Sequence, residues 1–235
     1  MKKTLLCALT FYLLPAAFAA SVITARPDDP KAIYLDAPAA NADSSARLQA
    51  AIDKAAGAVR EGIIFVPAGR YTLTRTIYVW PGVRLIGYGA TRPVFVLPPN
   101  TPGFQKGMGV MVMFTGLGPN ALTRAGSPIP FPPPGSVPPN NNVADANQGT
   151  FYSAMSNIDF EIGEDNPAAV AVRFHVAQHA FLTHMDFRIG SGLAALYQVG
   201  NEAEDVHFYG GRYGILVEQT SPGWQFTLID STFEG

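Results

Sequence analysis

One cysteine, Cys7, stands in 235 residues, and none follows it. A mature chain without it has no disulfide to rely on, so its stability must come from a packed core. Cysteine nucleophiles and thiolate metal sites are excluded beyond that position. Charge is scarce as well. Asp, Glu, Lys and Arg make up 14% of the chain, with 16 basic against 18 acidic residues. Without a basic excess to neutralise a phosphate backbone, nucleic acid is not an expected partner. No segment after the N-terminus approaches 18 unbroken apolar residues, so no membrane association is expected of the mature form. Gly-x-Ser-x-Gly, the turn that presents a serine nucleophile, is also missing. What the chain does have is 48% hydrophobic residues, 23 Gly, 20 Pro and 15 Phe. That content is too apolar for a disordered chain and too rich in turn formers for a helical bundle. It favours a β-rich, turn-rich domain.

The first residues read as an address. Lys2 and Lys3 precede a short apolar run, Leu5 to Leu14, which Pro15 breaks. Ala17-Phe18-Ala19 then supplies the small-x-small pattern of a cleavage site. Residues 1–19 are expected to be a signal peptide and the mature protein to be secreted or periplasmic. Residues 20–42 form a leader with one short strand near Ala32–Leu35, and 43–235 form a single β domain. That domain opens with a helix at about 43–56. Asp43, Ser44 and Ser45 offer capping oxygens. Leu48, Ala51, Ile52, Ala55 and Ala56 share one face, and Gly57 can close the helix. A long loop over about 115–150 interrupts the strands. Seven of the 20 prolines fall between Pro128 and Pro139, where no central strand can form. It reads either as a surface insertion or as a wall beside a substrate groove.

From Phe151 a repeat emerges. Asn157-Ile158-Asp159-Phe160, His184-Met185-Asp186-Phe187, Asp205-Val206-His207-Phe208 and Asp230-Ser231-Thr232-Phe233 align on phenylalanine at spacings of 27, 21 and 25 residues. Other short apolar strands lie between them. A unit of this length with two or three strands describes one turn of a parallel β-helix. Side chains of a strand alternate between faces. The four phenylalanines should therefore stack inside, beside a column of Ile158, Met185, Val206 and Ser231. Three columns should face outward. These are Asn157, His184, Asp205 and Asp230; then Asp159, Asp186, His207 and Thr232; then Glu161, Arg188, Tyr209 and Glu234.

Successive turns of such a coil lie about 4.8 Å apart. Stacked carboxylates at that spacing suit glycosidic cleavage, where two carboxyls about 5–5.5 Å or about 6.5–9.5 Å apart set the stereochemical course. Crowding also raises the pKa of one partner and prepares an acid. Asp205, Asp230 and Asp186 are the candidate catalytic residues on this reading. His184, His207, Arg188 and Tyr209 are candidate substrate-binding groups, and ordinary solvated pairing is the plain alternative. Tyr197, Tyr209, Tyr213 and Trp224 can stack on sugar rings or simply pack. His175 and His179 lie on a strand and turn, without a third ligand, so no metal site is expected. No cofactor is expected either, except Ca²⁺ if the chemistry is elimination at a uronate.

Gly62-Ile63-Ile64-Phe65-Val66-Pro67-Ala68-Gly69-Arg70-Tyr71 and Val83-Arg84-Leu85-Ile86-Gly87-Tyr88-Gly89, following an amphipathic helix, resemble the N-terminal module of the pectate-lyase-like superfamily. More narrowly, the chain is similar to bacterial relatives of family 28 and family 55 glycoside hydrolases. The Asn157-Ile158-Asp159-Phe160 and Trp224-Gln225-Phe226 turns extend the likeness, which covers about residues 40–235. The resemblance implies an all-β, right-handed parallel β-helix acting on plant or microbial polysaccharide. Two departures stand out. Ala40-Asn41-Ala42-Asp43-Ser44 replaces the usual Gly-Asp-Gly-x-x-Asp-Asp lead-in, and the family's catalytic acids, on later turns, map to no residue here. An inward Phe233 close to Gly235, with no cap after it, gives the expectation of an N-terminal part of a longer protein. The expected function is a secreted polysaccharide-active protein, either a glycoside hydrolase or a pectate-lyase-like enzyme. The alternative is a non-catalytic β-helix that binds glycan or serves as an adhesin or spike module. Polysaccharide is the expected partner, and oligomeric state is not legible.

Overall fold

Short apolar strands separated by Gly and Pro turns pair with strands one coil-turn away, not as hairpins. The computed structural model describes residues 20–40, 42–58, 62–118, 143–218 and 225–235. The expected signal peptide, most of the Pro-rich loop and Trp224 lie outside them. In chain order the elements are β1 (Ile33–Tyr34), α1 (Ser45–Ala58), β2 (Ile63–Pro67), β3 (Arg70–Thr72), β4 (Ile77–Val79), β5 (Arg84–Tyr88) and β6 (Val94–Leu97). Then follow β7 (Gly109–Phe114), β8 (Ala154–Ser156), β9 (Asp159–Ile162), β10 (Ala169–Arg173), β11 (Phe181–Gly190) and β12 (Ala194–Tyr197). The last are β13 (Asn201–Gly210), β14 (Tyr213–Leu216), β15 (Phe226–Ile229) and β16 (Thr232–Glu234). Every pairing between these strands is parallel. The chain is a right-handed parallel β-helix with three faces. The first face holds β2, β5, β8, the first half of β11, the first half of β13, and β15. The second holds β3, β6, β9, the later halves of β11 and β13, and β16. The third is the separate sheet of β4, β7, β10, β12 and β14.

The aromatic stack forms as its spacing predicts and runs further. Tyr71, Phe95, Phe160, Phe187, Phe208 and Phe233 are in register on successive strands. Phe160, Phe187 and Phe208 stack at 5.4 and 5.5 Å with planes within 14°, and Phe233 lies 4.6 Å beyond. Phe95 meets Phe160 edge to face at 5.5 Å. Both geometries are favourable for aromatic quadrupoles. Phe233, the outermost ring, is 57% exposed. Ile158, Met185 and Val206 fill the neighbouring column and are fully buried.

Helix α1 covers the near end of the coil. Leu48, Ile52 and Ala55 are buried against it. Asp43 accepts from the backbone N–H and hydroxyl of Ser45 at 2.9 and 2.6 Å and from Thr74 at 2.8 Å. Burial alone would raise the Asp43 carboxyl, but these bonds hold it below the usual range. Strand β4 has an edge that would otherwise offer unpaired backbone groups. Gln49 closes it: its Oε1 accepts from Tyr78 N–H at 2.8 Å and its Nε2 donates to Tyr78 C=O at 3.0 Å. Asp53 accepts from the Trp80 indole at 2.7 Å.

One glycine is dictated by close approach. A Cβ on Gly87 would lie 1.9 Å from the Asn157 carbonyl oxygen and 2.8 Å from the Pro93 ring. Gly87→Ala must push two turns apart and is expected to cost about 1–3 kcal/mol, read as a lower urea midpoint with unchanged slope.

Candidate functional site

Two charged constellations sit on the outer wall. The first carries the residues that the repeat singled out. Their backbone differs from the expected outward strand column. Asn157, His184, Asp205 and Asp230 have φ of 58, 56, 50 and 46°. They are the bend residues at which the chain leaves the first face for the second. Asn, Asp and His are the side chains that best tolerate this left-handed region when glycine is absent. The bend itself thus accounts for much of that column.

The second column departs from expectation in a different way. Asp159 and Asp186 are not solvated; each is 2% exposed, and their partner Arg92 is 5% exposed. Arg92 Nη1 lies 3.3 Å from Asp159 and 3.2 Å from Asp186, and its Nη2 lies 3.6 Å from Asp205. Asp159 also accepts from the Asp186 backbone N–H at 2.8 Å, and Arg188 donates to Asp186 at 2.8 Å. The leader helps to cover this face. Ala20 bridges Thr91, Gly89 N–H donates to Ile23 C=O at 2.9 Å, and Val22 N–H donates to Asn157 at 3.1 Å. The Asn157 amide in turn donates to Ser21 and to the Gly87 carbonyl, each at 2.8 Å.

Burial pushes the Asp159 carboxyl up to about 6, against the pull of Arg92. Asp205 goes the other way. Its burial is outweighed by His184 at 2.7 Å on one oxygen, His207 at 2.9 Å on the other, and the Arg92 charge. His207 reaches Thr232 through its second nitrogen at 2.8 Å. The stability consequences have opposite signs. Asp205 contributes stability above its unfolded pKa that is lost as pH falls. Asp159, with its folded pKa raised, binds a proton more tightly when folded, so its contribution is lost as pH rises from about 4 through about 6. Asp159→Asn keeps the acceptor and removes the titration. The urea-unfolding free energy of the variant relative to wild type is expected to improve by up to about 3 kcal/mol between pH 4 and pH 7.5.

The remaining candidates flank this core. Arg188 lies over the Tyr209 ring at 4.8 Å, and Arg70 forms a two-pronged ion pair with Glu161. Asp230 stands exposed on the last described bend. The structure thus brings Asp186, Asp205, His184, His207 and Arg188 together around Arg92, with Tyr209 at the side. Arg92 was not legible, because it sits in a connection outside the repeat.

The second constellation lies on the third face and was not anticipated. Alternation places Ile77, Val112, Val172, Leu196 and Ile215 inside, and Tyr78, Met113, Arg173, Tyr197 and Leu216 outside. The chain after β7 returns at residues 143–146, where Asp145 bridges Thr115 and Gly116 N–H donates to Ala144 C=O at 3.0 Å. Asp145 there accepts two bonds from Arg173, at 2.7 and 2.6 Å, and approaches His175 Nδ1 at 3.3 Å. Arg173 is 4% exposed and lies over the Tyr197 ring at 4.7 Å. The buried Tyr197 hydroxyl donates to the exposed Glu218 at 2.5 Å. Burial would raise Asp145, but Arg173 and His175 hold it below the usual carboxylate range. Burial and the Glu218 contact raise the Tyr197 hydroxyl. Asp145, Arg173, Tyr197 and Glu218 therefore form one connected polar chain across successive turns, on a face otherwise carrying Met111, Met113, Ala171 and Ala195. A sequence signal existed in Arg173, a lone cation inside an apolar strand.

Of the aromatic candidates, Tyr197 is buried in this chain, Tyr209 supports Arg188 and Tyr213 is exposed. Among the described residues no group of three or more His, Asp or Glu side chains is arranged to hold a metal ion. No described helix is long and apolar enough to cross a membrane.

Comparison with curated proteins finds no significant match. Among solved structures the chain is similar to a crystal structure from Parabacteroides merdae ATCC 43184, of a protein assumed to be a glycosyl hydrolase. Identity is 12%, the TM-score is 0.47, and the match covers 86% of this chain and 98% of that one. A family profile described as "Rhamnogalacturonase A/epimerase, pectate lyase-like" matches residues 38–235. The chain belongs to that family of pectate-lyase-like, polysaccharide-active proteins.

Proposed function

We propose that this protein is a secreted enzyme that cleaves glycosidic bonds in a polysaccharide reaching Glu218, the solvent-open end of the charged chain on the third face. The observation that carries this reading is the connected chain Asp145–Arg173–Tyr197–Glu218, with His175 beside it. A buried cation holds Asp145 ionised, while Glu218 stands open to solvent as a proton-transfer group. Buried ionic groups that lead to a solvent-open carboxylate, beneath connecting segments, suit a catalytic site. The bend face suits the role less well. Its column of Asn157, His184, Asp205 and Asp230 is accounted for by tolerance of positive φ at the bend. Asp159 and Asp186 are closed to a substrate, as Arg173 and Tyr197 are, but the third-face chain ends in the exposed Glu218.

A second reading keeps the chemistry at the bend, with Asp205, Asp230 and Asp186 catalytic and His184, His207, Arg188 and Tyr209 binding substrate. One observation favours it: Asp205 and Asp159 are pushed in opposite directions within a single cluster, a pattern that separates acid from base. The family description names a rhamnogalacturonase, so rhamnogalacturonan is the first substrate to test, with polygalacturonate and xylan beside it. Purified protein is incubated with each. New reducing ends alone indicate hydrolysis, and reducing ends with unsaturated-uronate absorbance indicate elimination. Binding without either signal would replace the enzyme by a glycan-binding module.

A further inference from the structure

Asp205 anchors a relay that ends at a hydroxyl open to water. His207 and Thr232 are direct partners in the register of β13 and β16. His207 Nδ1 lies 2.8 Å from Thr232 Oγ1, and its Nε2 lies 2.9 Å from Asp205 Oδ1. His184 holds the second Asp205 oxygen at 2.7 Å, and Arg92 Nη2 stands 3.6 Å from that same oxygen, so the carboxylate is fixed from both sides. Tolerance of positive φ explains an Asp at position 205, but not the imidazole and the hydroxyl aligned beside it, which stand on ordinary strand backbone. The proton positions follow from the chemistry of the groups. An ionised carboxylate only accepts hydrogen bonds, and Asp205 is held below the usual carboxylate range. A neutral His207 ring therefore carries its proton on Nε2, which leaves Nδ1 to accept from the Thr232 hydroxyl. Thr232 is exposed, and the side chains of His207 and Asp205 are 24% and 28% exposed, so the relay can be reached from solvent.

We propose that Thr232, His207 and Asp205 form a second active site, which hydrolyses small neutral acyl esters such as acetyl groups on sugar hydroxyls. A hydroxyl bonded to an imidazole that a carboxylate orients is the arrangement that activates an oxygen nucleophile for acyl transfer. Glycosidic cleavage by two carboxyls makes no use of such a hydroxyl. Thr232 Oγ1 attacks the ester carbonyl carbon while its proton passes to His207 Nδ1. The bond to the sugar oxygen then breaks, and His207 returns the proton to that oxygen, leaving Thr232 acylated. Water attacks the acyl-threonine, His207 takes one proton from it and returns it to Oγ1, and the carboxylic acid departs. Asp205 positions the ring and stabilises the imidazolium that forms in each half of the cycle. Tyr209 and Arg188 are the donors next along the same face for the oxygen that becomes negative. Glu234 follows Thr232 at the next outward position, and its charge disfavours an anionic acyl group. Sugar hydroxyls are the alcohols that a member of a polysaccharide-active family meets.

Hydrolysis of 4-nitrophenyl acetate and release of acetate from acetylated xylan read this activity apart from any cleavage of the polymer chain. Acid quench of the wild-type reaction with 4-nitrophenyl acetate, followed by peptide mass analysis, is expected to find one acetyl group on the peptide that carries Thr232. Thr232→Val, which exchanges the hydroxyl for a methyl at an exposed position, and His207→Gln are each expected to lower kcat/KM about 100-fold or more. Thr232→Ser is expected to keep the activity and to carry the acetyl group in its turn. The trapped acetyl group is read on the wild-type protein, so the test survives a folding defect in either variant. Wild-type rates in Thr232→Val, or acetyl found only on His207 or on lysine, would mean that an exposed imidazole or amine attacks the ester alone, and would overturn the inference. Wild-type protein that turns over neither ester overturns it as well. The glycosidic reading stands or falls separately, on the appearance of reducing ends.

Discussion

Phe187→Ala is expected to lower the unfolding free energy by about 3–5 kcal/mol and the melting temperature by roughly 10 °C or more. Phe187 is fully buried and is sandwiched between Phe160 and Phe208. Its removal deletes two ring contacts and leaves a hole that parallel strands on both sides cannot close, because their spacing is fixed by backbone hydrogen bonds. Phe233→Ala offers the internal comparison. That ring touches Phe208 on one side only and is largely open, so its truncation is expected to cost no more than about 1 kcal/mol. Equal losses in the two variants, measured by urea titration, would mean that the rings do not form the stack described.

Arg92→Met should be comparably damaging for an electrostatic reason. Arg92 is the cation shared by Asp159, Asp186 and Asp205, and it is nearly excluded from water. Methionine fills similar space but leaves buried carboxylates without their counter-charge, which typically costs about 3–5 kcal/mol. Adding Asp186→Asn to Arg92→Met is expected to recover part of the loss, because one uncompensated charge disappears with little change in shape. A double variant no more stable than Arg92→Met would show that packing, not charge, makes Arg92 important. Asp205→Asn should be milder, since Asp205 is partly open and its imidazole partners can turn to water.

The coil was legible because its repeat is written in residues with few alternatives. Four phenylalanines in a shared Asx- or His-containing frame fixed the register of β9, β11, β13 and β16, and the register is as aligned. Tyr71 and Phe95 belong to the same column but escaped notice, since Arg70 and Val94 precede them in place of the polar frame. The column of Asn157, His184, Asp205 and Asp230 carried a second message that a pure alternation rule cannot read. Those residue types share a tolerance for positive φ, and that tolerance, more than chemistry, explains their alignment. Arg92 and Asp145 lay beyond reach for another reason. Each enters its cluster from a connection with no periodicity, and only the folded path brings Asp145 to Arg173 or Arg92 to three carboxylates.

The ionic groups divide into two kinds by this geometry. Those around Arg92 brace the bend between the first and second faces, beside the leader. Those around Arg173 sit on the face that the connecting segments overhang and end in groups open to solvent. The most direct test of that division is a single cleavage assay, on whichever polysaccharide the wild-type protein degrades, with Glu218→Gln and Asp205→Asn measured side by side. Glu218→Gln is expected to lower kcat by about 100-fold or more with an unchanged melting temperature. Asp205→Asn should retain most of the rate while melting earlier. The reverse result, with activity lost in Asp205→Asn and kept in Glu218→Gln, would contradict the assignment and move the chemistry to the bend.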